Sequence, residues 1–148
     1  MRTLLLSLAL SVLLVGCKDP SSAAATETKQ AEAKQDAVEI PEISIEDADR
    51  ALKAGAVAVD ANSDSTREKN GTVPGAVILT SSYKYDLSQL PEDKSANLIF
   101  YCSNTNCTAS DAAAERASSN GYENVHIMRE GIKGWKAAGK PTASYPRS

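Results

Sequence analysis

Apolar side chains are spread unevenly along this chain, and their spacing divides it into three parts. Leu4 to Val15 is a nearly unbroken apolar run. The stretch from Lys18 to Ala37 has no large apolar residue, and from Ile40 onward short apolar runs alternate with polar, alanine-containing segments. The third part sets the fold. IEDADRALKAG carries apolar positions at helical spacing behind a Ser44/Asp47 capping pattern and ahead of a Gly55 stop, which predicts a helix over about 45–54. Ala56-Val57-Ala58-Val59 is apolar on both faces, as a strand buried in a parallel sheet is. The polar stretch to Asn70 has room for a helical turn, GTVPGA turns the chain, and Val77-Ile78-Leu79 gives another short strand. Leu98-Ile99-Phe100-Tyr101 is the strongest strand signal. TASDAAAERASSN, from Thr108 to Asn120, predicts a helix with alanine inward and Gly121 as its stop. Val125-His126-Ile127-Met128 and GIKGWKAAGKP supply a last strand and a last short helix. Strands alternating with helices imply an α/β domain whose parallel sheet is covered on both faces.

The first two parts stand outside that domain. Arg2 followed by the apolar run has the make-up of an export signal, and the run is too short to span a bilayer comfortably. Leu14-Val15-Gly16-Cys17 resembles the bacterial lipobox, which implies acylation of Cys17 after removal of residues 1–16. Acyl chains would anchor the protein by burying CH₂ groups, at about 0.8 kcal/mol each. Residues 17–39 then form the lipidated cysteine and a tether too polar to fold alone, and 40–148 form the domain. The expected location is the cell envelope, facing the periplasm. Lys18 without an acidic residue beside the anchor leans towards the outer membrane.

With 148 residues the chain holds one domain of ordinary size. The net charge is -3, and Lys and Arg are scattered among Asp and Glu rather than gathered into a stripe, which argues against a nucleic-acid partner. Aromatic residues are 5%, so the core rests on Val, Ile, Leu and Ala.

The candidate chemistry lies where the strongest strand ends, at Cys102. Reactive groups of open α/β sheets collect beyond the carboxyl ends of strands. There a thiolate is stabilised by loop N–H groups and a following helix, and the expectation is a lowered pKa. A cysteine after a buried strand is also often a small core residue, and position alone leaves both readings open. Asp60, at the end of an earlier strand, either orients the loop or caps the next turn.

Five segments in order resemble the rhodanese domain. They are Val59-Asp60, Gly71-Thr72-Val73-Pro74-Gly75-Ala76, Tyr101-Cys102, Gly121-Tyr122-Glu123-Asn124-Val125, and Gly131-Ile132-Lys133-Gly134-Trp135 with Gly139-Lys140-Pro141. The resemblance runs from about Ile40 to Pro146. It implies a five-stranded parallel sheet between helices and a cysteine, here Cys102, that carries sulfane sulfur as a persulfide. It also implies a sulfane-sulfur donor and a thiol acceptor as partners, with no cofactor. The implied substrate-binding loop is Ser103, Asn104, Thr105, Asn106, Cys107 and Thr108, with Ser110 just beyond it.

This loop departs from the family's usual pattern. It has no charge where most members use Arg or Lys to hold an anionic donor such as thiosulfate, and Thr72 and Asn62 stand where His and Arg are frequent. Cys102, Cys107 and Ser110 follow the spacing of a two-cysteine bacterial variant. Two thiols five apart on one loop can meet, so Cys107 is a candidate resolving thiol, with a static disulfide or a spare thiol as the plainer alternatives. A phosphatase of the Cys-x5-Arg kind is disfavoured because Thr108 occupies the arginine position. Zinc is disfavoured because two Cys and one His are too few ligands. His126 and Trp135 read as packing residues. Two functions are thus carried forward: a sulfurtransferase working through Cys102 and Cys107, and a non-catalytic module of the same fold that binds or senses redox state.

Overall fold

A computed structural model describes residues 39–146. The predicted signal, the lipidation site Cys17 and nearly all of the tether lie outside the described residues. No described helix is long and apolar enough to cross a membrane.

The elements run α1 (Ile45–Lys53), β1 (Val57–Asp60), α2 (Asp64–Asn70), β2 (Val77–Ile78), a 3-10 turn (Leu87–Gln89), β3 (Asn97–Tyr101), α3 (Ala109–Ser119), β4 (Asn124–Met128) and α4 (Gly131–Ala137). Ser44 caps α1 as its sequence predicts, its hydroxyl accepting from the Asp47 main-chain N–H. All strand pairs are parallel, in the order β2-β1-β3-β4.

Alternation along the strands builds two cores. Val59, Leu98, Phe100, Val125 and Ile127 face α3, whose fully buried Ala113, Ala114 and Ala117 let its backbone lie close on the sheet. Ala58, Ile99, Tyr101 and Met128 point the other way, onto Ile45 and Ala48 of α1 and Ile132 and Trp135 of α4. Trp135 is a core anchor, and its indole N–H donates to the Pro141 carbonyl at 2.7 Å, tying down the chain after α4. His126 is a half-buried strand residue whose Nδ1 has no partner.

The sheet has four strands where the family resemblance implied five. Glu42 makes one parallel bridge to Ile127, with the Ile43 N–H donating to the Ile127 carbonyl at 2.9 Å and the Ile127 N–H donating to the Pro41 carbonyl at 3.0 Å. The ladder cannot lengthen in either direction. The next pairing upstream needs an N–H that Pro41 lacks, and downstream the chain turns into α1 at the Ser44 cap.

The polar stretch after β1 forms a full helix, α2, and turns one charged residue inward. Arg67 is only 3% exposed. Its Nε donates to Asp60 Oδ1 at 3.1 Å, and its Nη2 donates to the main-chain carbonyls of Asp60 (3.1 Å) and Leu79 (3.0 Å). The Tyr101 hydroxyl completes the cluster, donating to Asp60 Oδ2 at 2.7 Å while accepting from the Val73 N–H at 3.0 Å. Burial first, and the Asp60 charge second, push the Tyr101 phenol far above its ordinary pKa, so it is a fixed neutral donor.

Removing one partner of a buried ion pair strands the other. Arg67→Leu is therefore expected to destabilise the protein by about 3–5 kcal/mol in chemical denaturation. Adding Asp60→Asn should restore part of the loss; a double variant no more stable than Arg67→Leu alone would show that the stranded carboxylate is not the cause.

Candidate active site

The strand order reverses direction between β1 and β3: the chain passes from β1 outward to β2, then returns across β1 to β3 and continues to β4. Ligands of open α/β sheets bind at such switch points, beyond the carboxyl ends of the strands. Asp60 closes β1 and Cys102 directly follows β3, so both lie at that point.

The loop after Cys102 is held from two sides. On one side the start of α4 donates to it, Ile132 N–H to the Cys102 carbonyl at 2.8 Å and Lys133 N–H to the Ser103 carbonyl at 3.1 Å. This close approach requires Gly131. Its φ is +62°, and a Cβ there would overlap the Cys102 carbonyl oxygen and sit 2.7 Å from the Ser103 carbonyl carbon. Within the loop, the Cys107 N–H donates to the Asn104 carbonyl at 3.0 Å, and the Asn106 N–H to Asn104 Oδ1 at 3.1 Å, so residues 104–107 form a tight turn that returns Cys107 towards Cys102.

The two thiols occupy different surroundings. Cys102 is 2% exposed, with its thiol against the Cys107 carbonyl (3.1 Å) and the Ser110 hydroxyl (3.3 Å). Cys107 is half-buried, and both cysteines are free. Burial, and then the hydrogen bond to Cys107, push the Cys102 thiol above its ordinary pKa, which corrects the expectation of an acidified Cys102. Burial pushes Cys107 the same way. Hydrogen bonds from the Cys102 thiol and from the Ser103 and Ala109 main-chain N–H groups outweigh it, and hold Cys107 below the ordinary thiol range. The stabilisation expected for the first thiol is therefore delivered chiefly to the second.

The structure brings together some of the predicted loop and turns the rest outward. Ser103, Cys107 and Ala109 line an open cleft of about 410 Å³, with Asn62 and Ser63 after β1 and residues 80–82 after β2 as the facing walls. Ser110 packs under Cys102, whereas Thr105, Asn106 and Thr108 are exposed outside the cleft. Asp60 serves both roles considered for it: Oδ1 accepts from the Asn62 N–H at 2.8 Å as a turn cap, and the carboxylate gathers Arg67 and Tyr101. Arg67 and the β2 wall were not singled out from sequence; the available signal was their place just beyond the β1 and β2 carboxyl ends. Among the described residues, no group of three or more His, Cys, Asp or Glu is placed to hold a metal.

The family model for the rhodanese-like domain matches residues 44–138, spanning both cysteines, the α4 segment that pins their loop and most of the chain. The chain belongs to the rhodanese-like domain family. Solved structures agree on the fold. A rhodanese-like domain from an Anabaena sp. protein is 23% identical with a TM-score of 0.58, over 72% of this chain and 81% of that one. A Rhodopseudomonas palustris protein described as a possible tyrosine phosphatase is 24% identical with a TM-score of 0.56, over 70% and 85%. A thiosulfate sulfurtransferase from Pseudomonas aeruginosa is 21% identical with a TM-score of 0.57, over 71% of this chain and 20% of that larger one. No curated protein matches. Its loop from Ser103 to Thr108 carries no charged side chain and brings a second thiol, Cys107, five residues after Cys102.

Thiolates, not thiols, react with alkylating agents. As pH rises, Cys107 loses its proton first, at a pH below the ordinary thiol range, and Cys102 only later. Pulses of iodoacetamide at rising pH, read by peptide mass spectrometry, should label Cys107 before Cys102 throughout. Earlier labelling of Cys102 would contradict the burial and hydrogen bonding described.

Proposed function

We propose that this protein is a sulfurtransferase that carries sulfane sulfur as a persulfide on Cys102 and passes it to a thiol acceptor, with Cys107 as the resolving thiol. The observation that carries the reading is the position of Cys102, first after β3 at the switch point of a rhodanese-like fold, in a loop fixed by α4. In the loading step the Cys102 thiolate attacks the sulfane sulfur of a donor R–S–SH; the donor's S–S bond breaks, R–S⁻ leaves, and Cys102–S–SH forms. An acceptor thiolate then attacks the outer sulfur and leaves with it, regenerating the Cys102 thiolate. Cys107 supplies a second exit: its thiolate attacks the inner sulfur, expels HS⁻, and closes a Cys102–Cys107 disulfide that a thiol reductant reopens. The raised pKa of Cys102 is compatible with this chemistry, because the neighbouring Cys107 thiolate can take its proton and the Ser110 hydroxyl, 3.3 Å away, can donate to the thiolate that forms.

The uncharged loop favours a donor other than thiosulfate, since no side-chain cation there offsets the desolvation of a dianion. The same feature, with the Cys102 thiol lying against the Cys107 main chain at 3.1 Å, supports a second reading as a dithiol switch. In that case Cys102 and Cys107 would exchange two electrons and two protons with a disulfide-bearing partner and never hold sulfane sulfur.

Intact-protein mass spectrometry before and after a hydropersulfide donor separates these readings. The first expects a gain of one sulfur mass, absent in Cys102→Ser and longer-lived in Cys107→Ser. Uptake that survives Cys102→Ser unchanged sinks Cys102 as carrier, and a loss of two hydrogens with no uptake would establish the switch.

We also propose, from the lipobox-like Leu14-Val15-Gly16-Cys17, that the mature chain is anchored in the cell envelope through acylated Cys17 and faces the periplasm. Metabolic labelling with an alkynyl fatty acid should mark the protein and fail in Cys17→Ser. Equal labelling of that variant would remove the anchor.

A further inference from the structure

The described residues hold three sulfur atoms, and burial divides them two to one. Cys102 is 2% exposed and Met128 1%, so both belong to the core. Cys107 is half-buried and lines the open cleft of about 410 Å³, the one sulfur among the described residues that stands outside the core. No charged residue lines that cleft, and Ser63, Thr66, Thr80, Ser81 and Ser103 supply hydroxyls to its walls. A charged oxidant would lose its hydration there with nothing in return, whereas a small neutral one that both donates and accepts hydrogen bonds enters at little cost. Hydrogen bonds from neighbouring donors hold the Cys107 thiol below its ordinary range, so more of it is thiolate at neutral pH. A second sulfur already stands beside it. The Cys102 thiol donates to the Cys107 main-chain carbonyl at 3.1 Å and lies 3.3 Å from the Ser110 hydroxyl. Oxidation of a thiol follows its thiolate character and exposure, and a neighbouring thiol decides what becomes of the product.

We propose that Cys107 is the thiol that reacts with hydrogen peroxide, and that Cys102 resolves the product, closing a disulfide that withdraws Cys102 from sulfur transfer. The Cys107 thiolate attacks one peroxide oxygen; the O–O bond breaks, an S–O bond forms, and hydroxide leaves and takes the proton of the Cys102 thiol. The Cys107 sulfur has then lost two electrons and the peroxide has gained them. The Cys102 thiolate, with the Ser110 hydroxyl as donor, attacks the sulfenic sulfur; the S–O bond breaks, the S–S bond forms and a second hydroxide departs. One thiolate, one thiol and one hydrogen peroxide thus give one disulfide, one water and one hydroxide. Peroxide carries no sulfur, so the loading step on Cys102 is unaltered. The two thiols instead exchange roles: in sulfur transfer Cys102 carries and Cys107 resolves, and under peroxide Cys107 is oxidised and Cys102 resolves. Both routes end in the same disulfide, which a thiol reductant reopens. Resting on the sulfur-carrier reading above, the consequence is protective, because the closed disulfide keeps both sulfurs from the irreversible sulfinic and sulfonic states.

The oxidation is testable without sulfane sulfur, by mass spectrometry of the single tryptic peptide 95–116 that holds both cysteines. In full-length wild-type protein given limiting hydrogen peroxide with dimedone present, this peptide should lose two hydrogens and carry no dimedone. In Cys102→Ser, with Cys102→Ala as a second background, dimedone should instead mark Cys107, because its sulfenic acid then has no partner. In Cys107→Ser, dimedone should mark Cys102 at least about tenfold more slowly than it marks Cys107 in Cys102→Ser, since a buried thiol offers little thiolate at neutral pH. Labelling of Cys102 at an equal or higher rate would overturn Cys107 as the reacting thiol. A dimedone adduct or a sulfinic acid in place of the disulfide in the wild-type protein would overturn Cys102 as its resolving partner, and a peptide left unchanged by peroxide would overturn both. Uptake from a hydropersulfide donor is a separate result. Its failure would remove the carrier reading and the protective consequence, and leave the peroxide chemistry to stand or fall on the dimedone experiment.

Discussion

Asp60 has no exposed surface, and a carboxylate there is tenable only because three donors converge on it: the Arg67 guanidinium, the Tyr101 hydroxyl and the Asn62 main-chain N–H. Each donor fixes a different part of the site. Tyr101 immediately precedes Cys102, so its bond to Asp60 sets the end of β3 from which the thiol loop departs. Asn62 begins the wall after β1. Arg67 also holds the Leu79 carbonyl, where the chain leaves β2 for the third wall. A buried pair of this kind is weak evidence for stability as such; well-packed apolar residues often do as well. Its directional bonds instead hold three chain segments in one register, something apolar packing specifies less sharply.

The asymmetry of the two thiols follows from the same framework. Cys102 continues directly from a strand buried on both faces, so it inherits the strand's burial, and α4 takes its carbonyl rather than its sulfur as a partner. Cys107 lies beyond the turn at residues 104–107, near the start of α3, where main-chain N–H groups are not yet used by the helix. The Ala109 N–H there, with the Ser103 N–H at the other end of the loop, helps hold the Cys107 thiol below its ordinary range. An acidic thiol facing a cleft and a buried thiol behind it are thus consequences of chain direction, and Gly131 is what allows α4 close enough to hold the arrangement.

Much of the fold was legible because periodicity reports which side chains face inward. Val57 to Val59 and Leu98 to Tyr101 are apolar on both faces, and Val125 to Met128 is interrupted only by His126, which identifies a parallel sheet covered on both sides, and Ser44 and Gly55 mark the ends of the first helix within a residue or two. Periodicity is silent on polar residues that fold inward. Arg67 lies in a stretch with no apolar residue after Ala61, and arginine on a helix is usually solvated, so nothing in its neighbourhood distinguished it from Lys69. The missing fifth strand turned on Pro41, a local limit that a family pattern does not register. The position of Cys102 was correct, whereas its acidity was not. The general rule about strand ends and helix starts does not say which of two nearby sulfurs the free N–H groups will reach.

That distinction bears on how one fold accommodates different reactions. In this member of the rhodanese-like family the sheet and its switch point place Cys102 after β3 without choosing what approaches it. Selection belongs to side chains on loops that the fold leaves free to vary. Here those loops present hydroxyls and a second thiol, and no charged side chain lines the cleft. A site without side-chain charge gives an anion little in exchange for its hydration. The buried Asp60 cluster fixes where these walls begin, at Asn62 and at Leu79, while Thr80 and Ser81 on the cleft side brace the second wall through Gln89 and the Tyr83 and Lys84 N–H groups.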